Sequence, residues 1–211
     1  RPGLPEDYCT LSTNIRYIQN VSNDDKKFLR IYFNQIYPDK QLRNWMWLYF
    51  VSGLVGGNPD KIITMHQGSG NNSKTQMIKL LEFSFGDYFI TANNTEILAN
   101  VRQNRSAAEP EKIRRKGRRW NVYNELNPTQ PIDVGTFKNL SGDDSQGGAR
   151  DLFGGSKTMY NMRLLAKTML IFNEDPPFSS GAGDDALWDR VAKILYMSKW
   201  VKEAPDDSKK Q

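Results

Sequence analysis

An α/β fold, a parallel sheet flanked by helices, is what this 211-residue sequence predicts, on three observations. The first is a strand, a glycine loop and a helix in succession between Lys61 and Phe85. Ile62 to Met65 form a short apolar run, Gly68-Ser69-Gly70-Asn71-Asn72-Ser73-Lys74-Thr75 follows, and an amphipathic segment then carries Met77, Leu80, Leu81 and Ser84 on one face. The second is a pair of later extended runs, Trp120 to Glu125 and Lys167 to Asn173, each closing on a polar side chain. The third is composition: 38% hydrophobic and 11% aromatic residues describe a globular chain with one main core.

The N-terminal part reads as helical. After a polar stretch punctuated by Pro2, Gly3 and Pro5, Asn23-Asp24-Asp25 is placed to cap a helix through about Tyr37, with Phe28, Ile31, Tyr32 and Gln35-Ile36 as its apolar face. Pro38-Asp39 restarts a second helix, Lys40 to Leu54, whose Leu42, Trp45, Met46, Tyr49 and Phe50 recur at helical spacing. That aromatic stripe reads as packing and not as a base-stacking platform. Residues 1–58 are therefore expected to form a helical lead-in, 59–203 the core and 204–211 a polar tail.

The glycine loop carries chemistry. In G-x-x-x-x-G-K-[ST] the loop amides and the helix N-terminus cradle phosphate oxygens, the lysine reaches the β and γ phosphates, and the hydroxyl takes a Mg²⁺ site. Gly68, Lys74 and Thr75 fit this spacing, while Ser73 stands at the last glycine, where a positive φ costs a serine a little. Packing alone gives no reason for such a run after a strand.

Downstream, Tyr88 to Thr91 reads as a second strand, and Asn94-Thr95 as the cap of a helix from Glu96. Six of the eight residues from Lys112 to Arg119 are cationic, either a nucleic-acid patch or a solvated loop. Glu125 closes a strand about 50 residues after Thr75, where a carboxylate holds Mg²⁺ or polarises an attacking water. From Phe137 to Met162 the second half reads as a β-hairpin with Gly154-Gly155-Ser156-Lys157 at its turn. Asn173 ends a buried-looking strand and can orient a water. Asp184-Asp185 then opens a short helix before the apolar run Ala192 to Met197.

Lys and Arg number 29 against 24 Asp and Glu, a balance of +5 with pI near 9.2, which permits a polyanionic partner without requiring one. The single Cys9 makes no intrachain disulfide and fits a reducing compartment. No apolar run approaches the roughly 18 residues of a membrane span. No targeting pattern is visible, and the start at Arg1-Pro2-Gly3 reads as part of a longer protein.

The ordered set Gly68-x-Gly70-x-Asn72-x-Lys74-Thr75, Glu125, Lys138-x-Leu140-x-Gly142-Asp143 with Ala149-Arg150, Asn173 with Pro176, and Asp185-Ala-x-x-x-Arg190 resembles the superfamily 3 helicase domain. It is most similar to the poxvirus-type primase-helicases of large DNA viruses and some phages, over roughly residues 24–201. The resemblance implies an AAA+-like P-loop core, usually a homo-hexamer, that hydrolyses ATP with Mg²⁺ at subunit interfaces and moves along single-stranded DNA. It makes Lys74 and Thr75 the Walker A pair, Glu125 the Walker B acid, Asn173 the sensor and Arg190 the arginine reaching a neighbour's γ-phosphate. Lys138, Arg150 and Lys157 become candidate DNA contacts, Lys157 toward a central channel. A primase domain in the same full-length chain and a location inside the infected cell, or a bacterium for a phage, are implied as well. Ser73 for glycine, Asn124 for a second acid and Asp189 for a second arginine depart from the pattern. A nucleotide-dependent initiator or packaging scaffold without unwinding is the alternative, and a small-molecule kinase the more distant one.

Overall fold

The computed structural model describes residues 4, 6, 9–99, 113–142, 145–150, 159–179 and 183–202. Five parallel strands, β1 (Ile63–Gln67), β2 (Phe89–Thr91), β3 (Trp120–Tyr123), β6 (Lys167–Phe172) and β7 (Val191–Leu195), lie in the order β2-β3-β6-β1-β7. A separate antiparallel pair, β4 (Ser145–Arg150) and β5 (Met159–Arg163), forms an excursion before β6. The chain leaves β1 for the far edge, returns strand by strand and steps over β1 to β7. The crevice beyond the carboxyl end of β1 is thus where the winding reverses, the position at which parallel sheets bind ligands.

Strands buried on both faces need apolar side chains pointing both ways, and β6 meets this with Met169, Leu170, Ile171 and Phe172, all buried. The first face takes Trp120, Val122, Met169, Ile171 and Ile194. Against it pack Met77, Ile78, Leu81 and Phe85 of α3 (Lys74–Phe85), with Phe33 and Ile36 of α1 (Asn23–Ile36) and Met46, Tyr49 and Phe50 of α2 (Lys40–Ser52). The second face takes Ile63, Met65, Tyr123, Leu170 and Phe172, covered by Phe137 and Leu140 of α4 (Val134–Ser141) and Leu187 of α5 (Asp185–Trp188). The parallel sheet with helices on both sides is the fold class the sequence predicts. The aromatic stripe of α2 is packing, as read: Trp47 stacks on Phe33 at 3.9 Å and Trp45 on Tyr49 at 5.0 Å.

Three local expectations change. Of the apolar face expected for α1, Ile36 is buried and Tyr32 packs partly buried against the core, whereas Phe28 and Ile31 are 70% and 45% exposed and Phe33, with the partly buried Leu29, takes their place. Both choices satisfy helical spacing, and only the position of α2 and the sheet selects between them. Instead of a helix from Glu96 there is a single 3₁₀ turn, Asn94–Glu96, in which Asn93 Oδ1 accepts from Thr95 N at 3.1 Å. The cationic stretch before β3 is largely tied into the fold. Arg115 is buried in an ion pair with Glu96, Arg118 donates to the Asp87 carbonyl, and Arg119 lies 5.4 Å from the centre of the Tyr88 ring.

Candidate functional site

The loop between β1 and α3 has the conformation that its residue types suggest. Gly70, Asn71 and Ser73 all have positive φ, at 87°, 48° and 68°. Ser73 occupies the left-handed region immediately before α3 and makes no side-chain cap, so the first amides of the helix stay available. Successive turns of this kind form an anion-binding concavity at the positive end of the helix. Gly68 answers a different need, since a Cβ there would lie 1.9 Å from the Asn72 amide, which is folded over the loop.

Lys74 opens α3 with its side chain almost wholly buried, and Nζ donates to the Gly68 carbonyl and, at 3.0 Å, to Asn173 Oδ1. With its amide turned to satisfy both ends, Asn72 accepts from Lys74 Nζ at 3.3 Å and from Ser69 N at 3.2 Å. Burial holds the ammonium below its ordinary pKa, since desolvation disfavours the charged form. The lysine therefore sits in a cage of uncharged oxygen acceptors from Gly68, Asn72 and Asn173.

Thr75, Glu125 and Asn173 line the same open cleft, about 1340 Å³ in volume, together with the loop from Gly70 to Lys74. Glu125 and Asn173 stand just past the carboxyl ends of β3 and β6, neighbours in the sheet. Glu125 is exposed and has φ 56°, a conformation uncommon for a residue with a Cβ. Asn94 Nδ2 braces this turn by donating to the Asn124 carbonyl at 2.7 Å, and Leu126 N donates to the Ile171 carbonyl at 3.1 Å. No cluster of three metal-ligating side chains exists among the described residues. One hydroxyl and one carboxylate beside a phosphate loop nonetheless fit Mg²⁺, which keeps its waters and takes most of its other oxygens from the phosphates it accompanies.

The other candidates lie elsewhere. Arg190 sits at the amino end of β7, where its carbonyl accepts from Ile63 N at 2.7 Å, and its side chain donates to Ser141 Oγ at 2.9 Å and the Ala186 carbonyl at 3.0 Å. It is thus at the opposite end of the sheet from Lys74. Lys138 pairs with Asp184, whose carboxyl is held below its ordinary pKa by that hydrogen bond and by the Ala186 amide. Arg150 ends β4, paired in register with Met159; its side chain, and all of Lys157, lie outside the described residues.

Two aromatic residues that the sequence reading did not assign to the site also line it. Tyr32 of α1 and Trp200, beyond β7, both line the cleft, with ring centroids 6.3 Å apart. Their helical spacing or isolation in sequence carries no trace of this, because each reaches the loop from a distant part of the chain. No helix among the described residues is long and apolar enough to cross a membrane.

No family model matches the sequence. Among curated proteins the chain is 32% identical over 220 residues to "Putative helicase 121R" of Invertebrate iridescent virus 3, covering 100% of this chain and 22% of the relative. It is 34% identical over 185 residues to "Putative helicase 022R" of Frog virus 3, covering 86% of this chain and 19% of the relative. It is 24% identical over 129 residues to "Putative primase C962R" of African swine fever virus, covering 61% and 13%. The chain thus spans about a fifth of the length of the helicase-named relatives it matches. In fold it is similar to the C-terminal region of NrS-1, with a TM-score of 0.57 at 14% identity over 92% of this chain and 41% of that one. Similarity to these helicase- and primase-named viral proteins, on a parallel sheet flanked by helices, bears out the resemblance to a superfamily 3-type helicase domain of large DNA viruses.

Proposed function

We propose that this chain is the ATP- and Mg²⁺-dependent motor domain of a replicative DNA helicase, acting as a ring, normally a homo-hexamer, on single-stranded DNA in infected cells. The helicase and primase names of its relatives support this reading, and also a primase domain elsewhere in the full-length protein. The observation that carries it is the convergence of Lys74, Asn173 and Glu125 on one cleft above a loop of positive-φ residues.

Bound ATP with its Mg²⁺ supplies the transferable phosphoryl group and the neutralising charge. Lys74 leaves Gly68 and Asn173 for the β and γ phosphate oxygens, regaining charge partners that it lacks in the cage. Asn173, released from Lys74, has an amide free to orient a water. Glu125 accepts that water's proton from the turn beside it, and Thr75 offers its hydroxyl to the metal. Lys138, Arg150 and Lys157 are proposed to face DNA, with Arg190 serving a neighbouring subunit.

The test is ATP turnover with and without single-stranded DNA, with the mass of the assembly measured in parallel. Lys74→Ala is expected to abolish turnover and weaken ATP binding by more than 10-fold, whereas Glu125→Gln keeps binding and loses turnover, since an amide preserves shape but accepts no proton. Wild-type turnover by folded Lys74→Ala protein overturns the P-loop assignment. ATP-dependent DNA binding without DNA-stimulated turnover selects the scaffold instead of the motor.

A further inference from the structure

The amino end of the parallel sheet, opposite the cleft, is where the segment carrying β4 and β5 leaves and rejoins. Asn58 Nδ2 donates to the Ser141 carbonyl at 3.0 Å where it leaves, and Gly57 N donates to the Leu165 carbonyl at 2.8 Å where it rejoins. Arg119 adjoins the second point: a Cβ on Gly56 would lie 2.9 Å from its Nη1 and 3.4 Å from Leu165 Cβ. Arg118 is next to it, and Lys116 stands exposed on the same turn. The bonds that fix these guanidiniums leave their charge uncancelled. Arg118 donates to the Arg114 and Asp87 carbonyls and Arg119 to the Gly117 carbonyl at 3.2 Å, and among the described residues neither is paired with a carboxylate. Asp87, whose charge reaches Arg118, has its oxygens occupied by Ser12 N at 3.0 Å and Asn14 Nδ2 at 2.9 Å. Those bonds pin an N-terminal strap beside the turn, and just beyond them Arg16 is exposed and Tyr17 is 85% exposed. At about 3.5 Å per residue, the backbones of both lie within roughly 10 Å of that of Asn14.

We infer that Arg16, Lys116, Arg118 and Arg119, with Tyr17, form a second contact for single-stranded nucleic acid, beside the point where the β4/β5 segment rejoins the sheet and remote from the nucleotide cleft. The four cations meet backbone phosphates, and the uncovered Tyr17 ring offers a face on which one base stacks. Cations along the backbone with an aromatic face between them are what a sequence-tolerant single-strand site requires. The ties of Arg118 and Arg119 to carbonyls add to this, because a cation already held in place loses less freedom when a phosphate arrives. The inference rests on the DNA-binding reading of the β4/β5 segment. It extends that path past the end of β5, where Arg163 is also exposed, along the edge formed by β3 and β2.

Fluorescence anisotropy of a labelled oligothymidylate and of a labelled blunt duplex, titrated with the chain over a salt series, tests this. The double variant Arg16→Ala with Lys116→Ala removes two exposed cations whose side chains hold no hydrogen bond among the described residues, so the fold is spared. It is expected to bind the single strand roughly 10-fold more weakly at low salt and to lower the slope of log affinity against log salt by about 1.4. Tyr17→Ala is expected to lose about fivefold for the single strand with the salt slope and duplex affinity unchanged, and Tyr17→Phe to keep wild-type affinity. Lys40→Ala, the removal of an exposed cation at the start of α2, serves as the control and leaves both affinities unchanged. Wild-type affinity and slope in the double variant, or an equal loss per charge in Lys40→Ala, overturns the cationic contact. A Tyr17→Ala variant that binds the single strand like wild type, or loses as much for the duplex, overturns the stacking. In either case, weakened binding by Lys157→Ala leaves the DNA-binding reading standing, whereas a wild-type chain that binds neither oligonucleotide overturns both.

Discussion

Ser73 holds a left-handed backbone, φ 68° and ψ 9°, at the position where the phosphate-loop pattern asks for glycine. Relief of that conformation, roughly 1 kcal/mol for a residue with a Cβ, competes with the extra unfolded-state freedom of glycine. Ser73→Gly is expected to raise Tm by up to about 3 °C in thermal unfolding, and a fall in Tm would show that the unfolded-state freedom of glycine outweighs the strain. Beneath the loop, His66 is fully buried in β1, with Nδ1 3.1 Å from the Tyr196 hydroxyl. Burial, and secondarily the Lys74 charge, pushes its pKa down to about 3. The unfolded chain binds a proton near pH 6.5 that the native protein refuses, so this stability is fully present above pH 6.5 and drains away as pH falls toward 3. Between those values His66→Leu should lose a slope of about 1.4 kcal/mol per pH unit relative to wild type in denaturant unfolding. Equal slopes would mean that His66 titrates while folded. Lys74, Thr75, Glu125 and Asn173 were legible in the sequence because each closes or opens a local pattern; the cage that Asn72 and Gly68 make around Lys74 was not, since it depends on side-chain packing.

At the scale of elements, strands and their alternation were readable because periodicity is a property of the segment itself: Trp120 and Val122 face one way, Asn121 and Tyr123 the other. The face of α1 was legible only in part, at Tyr32 and Ile36, since Phe28-Ile31 and Leu29-Phe33 are equally helical choices beside them and the selection belongs to the partner. The β4/β5 excursion was legible as a hairpin from its two alternating runs, and its register, Ser145 with Arg163 and Arg150 with Met159, is interrupted by a shift between Gln146 and Ala149. The chain leaves the core after α4 and returns at β6, so β4 and β5 form a sheet separate from the one that carries the cleft. On that basis Lys157→Ala is expected to weaken single-stranded DNA binding for all sequences and to lower the dependence of log affinity on log salt by about one counterion. Unaltered affinity, salt dependence and unwinding would remove Lys157 from the DNA path.

Across the whole molecule, the sheet separates Arg190 from the loop of its own chain. Arg190 precedes β7 and is fixed to Ile63 at the start of β1, while the loop follows the other end of β1, five residues on. At about 3.3 Å per residue the two ends stand roughly 16 Å apart, beyond the reach of an arginine side chain. If Arg190 serves catalysis, it serves a phosphate held by another copy, as an arginine supplied in trans. Its present bonds to Ser141 Oγ and the Ala186 carbonyl are to uncharged oxygens and can be exchanged. Lys74→Ala and Arg190→Ala chains should therefore each be inactive alone. An equimolar mixture assembles interfaces in which one chain supplies the intact loop and the next the intact arginine, so turnover should return to about a quarter of wild type under random pairing. Calorimetry showing that Arg190→Ala still binds ATP separates a missing arginine from a damaged fold. Full turnover by Arg190→Ala alone, or an inactive mixture despite a wild-type assembly mass, would end the trans assignment and leave Arg190 as the tie between β7 and α4.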